Sequence, residues 1–214
     1  MTTELQSRKQ IIATALQMNA LGINHGKSGN VSARWKTGLL ITPSGLPYED
    51  TRPADIVFID GQGRSKGSRE PSSEWRFHFD IYRMKREARA VVHTHSSFAT
   101  ALACLGMGVP AFHYMVAVAG GNNIRCAPYA TFGTQLLSDH AIAALDGRKA
   151  CLLGNHGMIA TGGSLKASLA LAAQVEVLCE QYWRALQIGK PNLLTEVEMA
   201  VVLEKFKTYG AAQG

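Results

Sequence analysis

Apolar residues recur at Leu5, Ile11, Ile12, Ala15, Leu16 and Met18, a helical stripe that predicts a first helix from Glu4 to Leu21 with Gly22 as its stop. The period then shortens. After the loop Gly26-Lys27-Ser28-Gly29-Asn30, the runs Val31 to Trp35 and Leu39 to Thr42 flank Lys36-Thr37-Gly38 and predict a hairpin that ends at Pro43-Ser44-Gly45. Ile56 to Ile59 reads as another strand, closed by the turn Asp60-Gly61-Gln62-Gly63, and a polar loop continues to Pro71. Ser73 is expected to cap a helix running to about Met84, after which Arg89 to Val92 rises as a strand.

Further along, Ser97 to Leu105 and Phe132 to Leu145 read as helical, Ile124 to Cys126 as extended and Ala150 to Leu153 as a strand, with Gly120-Gly121 and Gly162-Gly163 as turns. Two helices close the pattern. The long one spans Leu165 to Ile188 before Gly189 and Pro191, and the last starts at Thr195, where Thr195 and Glu198 form a capping box. No internal repeat or low-complexity tract interrupts this order. Strands outnumber the short helices between them and helices stand at both ends, which predicts a mixed α/β sandwich and not a doubly wound sheet.

At 214 residues and 46% apolar the chain can bury a substantial core, and no compositional gap divides it, so one domain over residues 1–214 is expected. The net charge of +6 comes from scattered bases, Arg64, Lys66 and Arg69 in one loop and Arg83, Lys85, Arg86 and Arg89 at a helix end. A pI of 9.3 raises the question of nucleic acid, but these bases lack interleaved aromatics or a binding motif. A small anionic substrate or a solvated face explains them better. Cys104, Cys126, Cys151 and Cys179 form no Cys-x-x-Cys and are read as reduced core thiols. The residues after Met1 carry no basic-then-apolar leader, and no apolar run approaches the ~18 residues of a membrane span. A cytoplasmic protein without a membrane partner is expected.

The candidate chemistry lies in His93-Thr94-His95 and in His156, each at the end of an apolar β-like run, together with Glu74 in Ser72-Ser73-Glu74-Trp75. On a strand, residues two apart share a face, so His93 and His95 can close on one ion while Thr94 faces away. A third imidazole and a carboxylate complete a tetrahedral set of three nitrogens and one oxygen, which suits Zn²⁺, and a displaceable fourth ligand suits a catalytic ion. His78, one turn after Glu74, is either an alternative ligand or a support behind the ligands. His25, His113 and His140 are read as structural. Gly29-Asn30, Thr42-Pro43-Ser44-Gly45 and Ser72-Ser73 offer hydroxyls, an amide and free N–H groups ahead of a helix, a set that can hold a phosphate. Without a Gly-x-Gly-x-x-Gly fingerprint, a nucleophile elbow or a placed Schiff-base lysine, the metal must carry the chemistry.

These motifs occur in one order: Gly29-Asn30-Val31-Ser32, Ile41-Thr42-Pro43-Ser44-Gly45, Pro71 to His78, Val91-Val92-His93-Thr94-His95, His113-Tyr114-Met115, Cys126 to Gly133, His156-Gly157 and Val201 to Gly210. The set resembles the class II aldolase/adducin family nearly end to end. That resemblance implies a mixed central β-sheet flanked by helices and a homotetramer with active sites between subunits. It also implies a zinc-dependent aldolase, with Mn²⁺, Co²⁺ or Fe²⁺ as substitutes, that cleaves a ketose 1-phosphate to dihydroxyacetone phosphate and an aldehyde through an enediolate. The ketose is L-fuculose 1-phosphate or a related 5-deoxypentulose 1-phosphate; the alternative is 5-methylthioribulose or 5-deoxyribulose 1-phosphate from nucleoside salvage.

Carried over by resemblance, Glu74, His93, His95 and His156 hold zinc, and Gly29, Asn30, Ser44, Gly45, Ser72 and Ser73 hold the substrate phosphate. Glu74 leaves the metal as substrate binds and then shuttles protons. Tyr114, donated by a neighbouring subunit, is the acid at the aldehyde-forming oxygen, and Phe132, Phe206 and Tyr209 line the aldehyde pocket. Ser44 and Lys27 depart from the threonines expected there, and Lys27 adds a cation near the phosphate loop. Two other readings are weaker. A pentulose-phosphate 4-epimerase would resemble an aspartate at Glu74, and a noncatalytic adducin-like head would not keep all four ligands.

Overall fold

Helix α1 (Glu4–Ala20) starts where the Thr3 hydroxyl accepts a hydrogen bond from the Gln6 N–H and Gln6 Oε1 accepts one from the Thr3 N–H. The computed structural model describes residues 2–208. Strands β1 (Asn30–Trp35) and β2 (Gly38–Ile41) form the expected hairpin around Lys36-Thr37, with Lys36 at φ 50°. Strands β3 (Val57–Ile59) and β4 (Ser65–Lys66) extend one edge, and β5 (Ala90–Thr94), β6 (Arg125–Ala127), β7 (Ala150–Leu153) and β8 (Gly157–Gly162) complete the sheet. Its order is β4-β3-β2-β1-β5-β8-β7-β6, antiparallel throughout except between β6 and β7.

Two strands depart from the sequence reading. β4 consists of two exposed polar residues, which carry no hydrophobic alternation, and it pairs with β3 because Asp60 Oδ1 accepts the N–H groups of Gln62 and Arg64 and turns the chain back. β8 lies between two glycines that read as punctuation, yet Gly162 is its last residue and pairs with Ala90. Gly162 is therefore no turn.

Alternation along the strands supplies two apolar faces. Val31, Leu40, Val92, Leu152, Met158 and Ala160 point to one, covered by α1, α3 (Ser97–Cys104) and α5 (Leu165–Ile188). Leu39, Ile41, Val91, Cys151, Leu153 and Ile159 point to the other, beneath α2 (Trp75–Met84) and α4 (Gln135–Ala144), where Phe77, Ile81 and Leu137 are buried. Each buried Val, Leu, Ile, Met or Phe side chain among them contributes about 1.5–3 kcal/mol by leaving water. The result is a mixed sheet between two helical layers. Helix α4 starts later than its apolar pattern, at Gln135, because Thr134 caps it by accepting the Leu137 N–H, which leaves Phe132 in the preceding turn.

Helix α6 (Glu196–Thr208) begins at the expected Thr195–Glu198 capping box and packs through Met199 on Ala111 and on Ala117 of the short helix Tyr114–Ala119. Of the cysteines, Cys151 and Cys179 are buried, which raises their thiols, whereas Cys104 is exposed at the end of α3 and is not a core residue. No helix among the described residues is long and apolar enough to cross a membrane.

Candidate active site

Four elements converge at one end of the sheet. His93 lies on β5, on the face under α2, directly across from Asn30 of β1; His95 follows the end of β5; His156 sits in the turn between β7 and β8; Glu74 precedes the first residue of α2. His93 Nε2 lies 2.9 Å from His95 Nε2 and 3.1 Å from Glu74 Oε2, and His156 Nε2 lies 3.0 Å from Glu74 Oε1. The ligating atoms of all four residues fall within 4.8 Å of one another. The approach of two strand ends is tight enough to need Gly157, where a Cβ would meet the Thr94 carbonyl oxygen at 2.3 Å. Thr94 points away from the cluster and leaves its buried hydroxyl without a partner.

The donor set fits a metal ion. His93 Nδ1 is 2.9 Å from the Met158 carbonyl oxygen, so it carries the proton and leaves Nε2 as a bare lone pair. That lone pair faces Glu74 Oε2, an atom with no proton to give. Glu74 Oε1 is buried and has no aligned hydrogen-bond donor, although His156 is close. Such a convergence of lone pairs is stable around a cation. Burial raises the Glu74 carboxyl, but in the metal-free cluster a proton taken up by His93 or His156 would place a positive charge beside it, which outweighs burial and holds the group well below the carboxylate range. Burial, aided by His93 and His156, pushes His95 down to about 4, so its ring is neutral and free to ligate near pH 7.

The six residues read as a phosphate set line one cleft of about 420 Å³, and Glu74 lines it too. Ser44 N–H bonds to the Glu70 carbonyl and Ser72 N–H to the Thr42 carbonyl, which ties the two loops into one cradle. Gly29 admits no side chain, since a Cβ would lie 2.5 Å from the His93 carbonyl oxygen, and Tyr48 OH donates to the Gly29 carbonyl from behind. Lys27 Nζ donates to the Gly45 carbonyl at 2.8 Å, at the rim of the same cleft. His25, read as structural, also lines it. Ser73 does not cap α2. Glu74 holds the N-cap position at φ −100°, ψ 15°, and its N–H meets Ser72 Oγ at 3.3 Å, so both serines are left to the cleft.

A second cleft of about 330 Å³ opens on the other side of Glu74 and is lined by His95 and His156 with Phe132, Tyr129, Ala130 and Asn155. Tyr129 and Asn155 were not singled out from sequence. The sequence signals were Pro128-Tyr129-Ala130 ahead of Phe132 and the placement of Asn155 beside a ligand; Asn155 takes φ 54°, a conformation asparagine tolerates. Tyr114 and Phe206 line neither cleft. Tyr114 is half exposed and stacks on His113, and Phe206 packs with the Met199 group. Tyr209 lies outside the described residues. His78 is not a ligand, because its two ring nitrogens are taken by Asn30 and Ser32.

Residues 9–183 match the family model described as the class II aldolase and adducin N-terminal domain. The 5-methylthioribulose-1-phosphate/5-deoxyribulose-1-phosphate aldolase of Rhodospirillum rubrum is 62% identical over 203 residues, spanning 95% of this chain and 92% of that protein. The L-fuculose phosphate aldolase of Escherichia coli K12 is 53% identical and spans 94% of each. A solved L-fuculose 1-phosphate aldolase superposes with a TM-score of 0.91 at 37% identity, covering 94% of this chain and 96% of its own. The chain belongs to the class II aldolase and adducin family and is a class II aldolase, a metal-dependent carbon–carbon lyase.

Proposed function

We propose that residues 1–214 form one cytoplasmic catalytic domain, assembled as a homotetramer, that cleaves a 5-deoxypentulose 1-phosphate to dihydroxyacetone phosphate and a short aldehyde. One observation carries the reading. Glu74 lines both clefts, so a substrate with its phosphate on Gly29, Asn30, Ser44, Gly45, Ser72 and Ser73 passes its reacting carbons across the His93–His95–His156 cluster. Its far end then meets Tyr129, Ala130 and Phe132, an apolar wall suited to a methyl or methylthio group. The name of the 62% identical relative supports the same substrate class.

Three imidazoles and a carboxylate suit Zn²⁺, which would supply Lewis-acid charge for the oxygen that becomes negative as the bond between C3 and C4 breaks. The chain supplies the rest. The C4 hydroxyl gives its proton to Glu74 and becomes the aldehyde, and Tyr114 of a neighbouring subunit hydrogen-bonds that oxygen. C3 takes a proton to give dihydroxyacetone phosphate, and Glu74, free to carry a proton once it releases the metal, delivers it. Phe206 completes the aldehyde pocket in the assembly.

L-Fuculose 1-phosphate is the second reading. The hydroxyl of its aldehyde product needs a polar partner, and Asn155 and Ser28 line the second cleft. The test is release of dihydroxyacetone phosphate from 5-methylthioribulose, 5-deoxyribulose and L-fuculose 1-phosphates, with and without a chelator. Chelator-sensitive release fastest with the two 5-deoxypentuloses is expected; a clear preference for fuculose moves the assignment, and release that ignores the chelator removes the metal from it.

A further inference from the structure

Behind Glu74 runs a chain of buried polar side chains that the cleavage reaction, as described, does not use. Asn30 Nδ2 is 2.9 Å from Glu74 Oε2; Asn30 Oδ1 meets His78 Nε2; His78 Nδ1 is 2.7 Å from Ser32 Oγ; and Ser32 Oγ is 2.8 Å from Tyr82 OH. All five residues are buried, His78 and Ser32 completely. The backbone dictates the line. Asn30 and Ser32 are two apart on β1 and share a face, and His78 lies one helical turn after Glu74 with Tyr82 one turn further on α2.

The protons in this chain are fixed from one end. A carboxylate only accepts, so the Asn30 NH₂ must face Glu74 and its carbonyl oxygen must face His78. His78 Nε2 then carries the ring proton and donates it. Nδ1 is left bare and accepts from the Ser32 hydroxyl, whose oxygen in turn accepts from Tyr82 OH. Every donor meets an acceptor, in one sense only.

We propose that His78 is a positioning residue: held by Ser32 and Tyr82 as the Nε2–H tautomer, it locks the Asn30 amide with its NH₂ turned toward Glu74 and the phosphate cleft. This rests on the reading of Asn30 as a phosphate ligand and Glu74 as the proton carrier. Without the His78 N–H, the Asn30 oxygen loses the donor it meets among the described residues, and the amide can turn its oxygen toward Glu74 and an incoming phosphate, where it repels both. The chain positions and does not conduct protons, because an amide passes no proton through at neutral pH. Burial keeps the ring neutral, pushing His78 down to about 3 with His93 adding to the effect.

The first test needs no sugar. In a ¹H–¹⁵N spectrum of the zinc-loaded protein, with the His78 signals assigned by their loss in His78→Gln, the ring is expected as Nε2–H with a bare Nδ1. The other tautomer or an imidazolium at pH 7 overturns the proposal, whatever sugar the enzyme cleaves.

The second test uses inorganic phosphate as probe. His78→Leu should keep one zinc per chain yet weaken phosphate binding by about tenfold, and lower kcat/KM at least as much. His78→Gln, whose amide offers an N–H near the place of Nε2, should recover most of the loss. Phosphate binding in His78→Leu equal to that of the parent, with zinc retained, overturns the proposal. If His78→Leu does not fold, Ser32→Ala replaces it: the Nε2–H signal should give way to a mixture of tautomers, and a single unchanged tautomer overturns the role given to Ser32.

Discussion

The half of the site proposed to hold metal and phosphate and the half proposed to take the aldehyde differ in how they are held. Glu74 and His93 are 5% and 0% exposed, Asn30 is buried, and each is bonded to another element of the same chain. Tyr114, Tyr129 and Phe132 are 50%, 60% and 64% exposed, and Tyr114 touches neither cleft. Large aromatic side chains left in water at a binding site call for a cover. The first half is complete within one protomer; the second has the character of a surface awaiting another chain, which supports the proposed intersubunit site.

The most severe way to break the complete half is to remove a ligand. His95→Ala should lose the metal and at least about a thousandfold in kcat/KM, since Lewis-acid stabilisation is worth several kcal/mol. Metal analysis beside turnover checks it, and full activity in a metal-replete variant would sink the ligand assignment. Tyr114→Phe should keep the metal and slow cleavage by about a hundredfold, the size of one lost acid–base group at the C4 oxygen. The two inactive variants also test the difference between the halves directly. Mixed and reassembled, they should regain activity, because sites pairing an intact His95 with an intact Tyr114 from another chain become possible. Mixtures as inactive as their parents would place Tyr114 outside the reaction or within its own protomer.

Acid should loosen the complete half first. His78 and His95 have folded values of about 3 and about 4 against an ordinary 6.5. The unfolded chain therefore binds more protons between those values, so stability rises with pH there and is lost as pH falls below 6.5. The depressed Glu74 carboxyl acts in the same sense, its contribution present above the ordinary carboxylate range and lost on acidification. Denaturant melts of the metal-free protein at pH 7 and pH 5 should differ by about 1 kcal/mol per pH unit from the fully buried His78, and by less from the partly exposed His95. His78→Gln should flatten that slope, and an unchanged slope would remove His78 as its source.

The same contrast explains what was legible beforehand. His93 and His95 could be read because a strand fixes where residues two apart point, and α5 could be read because its 24 residues keep one apolar stripe from Leu165 to Ile188. β8 could not, since glycine at both ends hides a strand whose hydrogen bonds come from β5 and β7. Ser73 misled because a serine before a helix usually caps it, and here the next residue took that position while reaching back to the cluster. His25 and Tyr129 reach the site through loop packing, which leaves no periodic trace. The aldehyde half was legible only through resemblance, and Tyr114 and Phe206 still lack a place in a single chain.

Within the exposed half, Phe132→Ala should cost the methylthio substrate about tenfold more than its 5-deoxy counterpart in kcat/KM, because removing apolar wall penalises the larger tail. Equal losses would take Phe132 out of tail selection.

The smallest effect belongs to Lys27, which stands between the two halves: it is exposed like the aromatics, yet its ammonium is bonded at the rim of the buried cradle. The six residues read as the phosphate set are uncharged, and among the described residues Lys27 is the lysine that lines their cleft. An exposed cation acts through water, and its pull on a phosphate dianion is weak and screened over about 8–10 Å at ordinary salt. Lys27→Met should therefore raise KM about two- to fivefold at low ionic strength with kcat unchanged, and the gap should close as salt approaches ~0.5 M. A loss that persists in high salt would mean that Lys27 shapes the Ser44-Gly45 loop through its bond to the Gly45 carbonyl. In that case the rim, like the cradle behind it, works by fixed hydrogen bonds and not by charge.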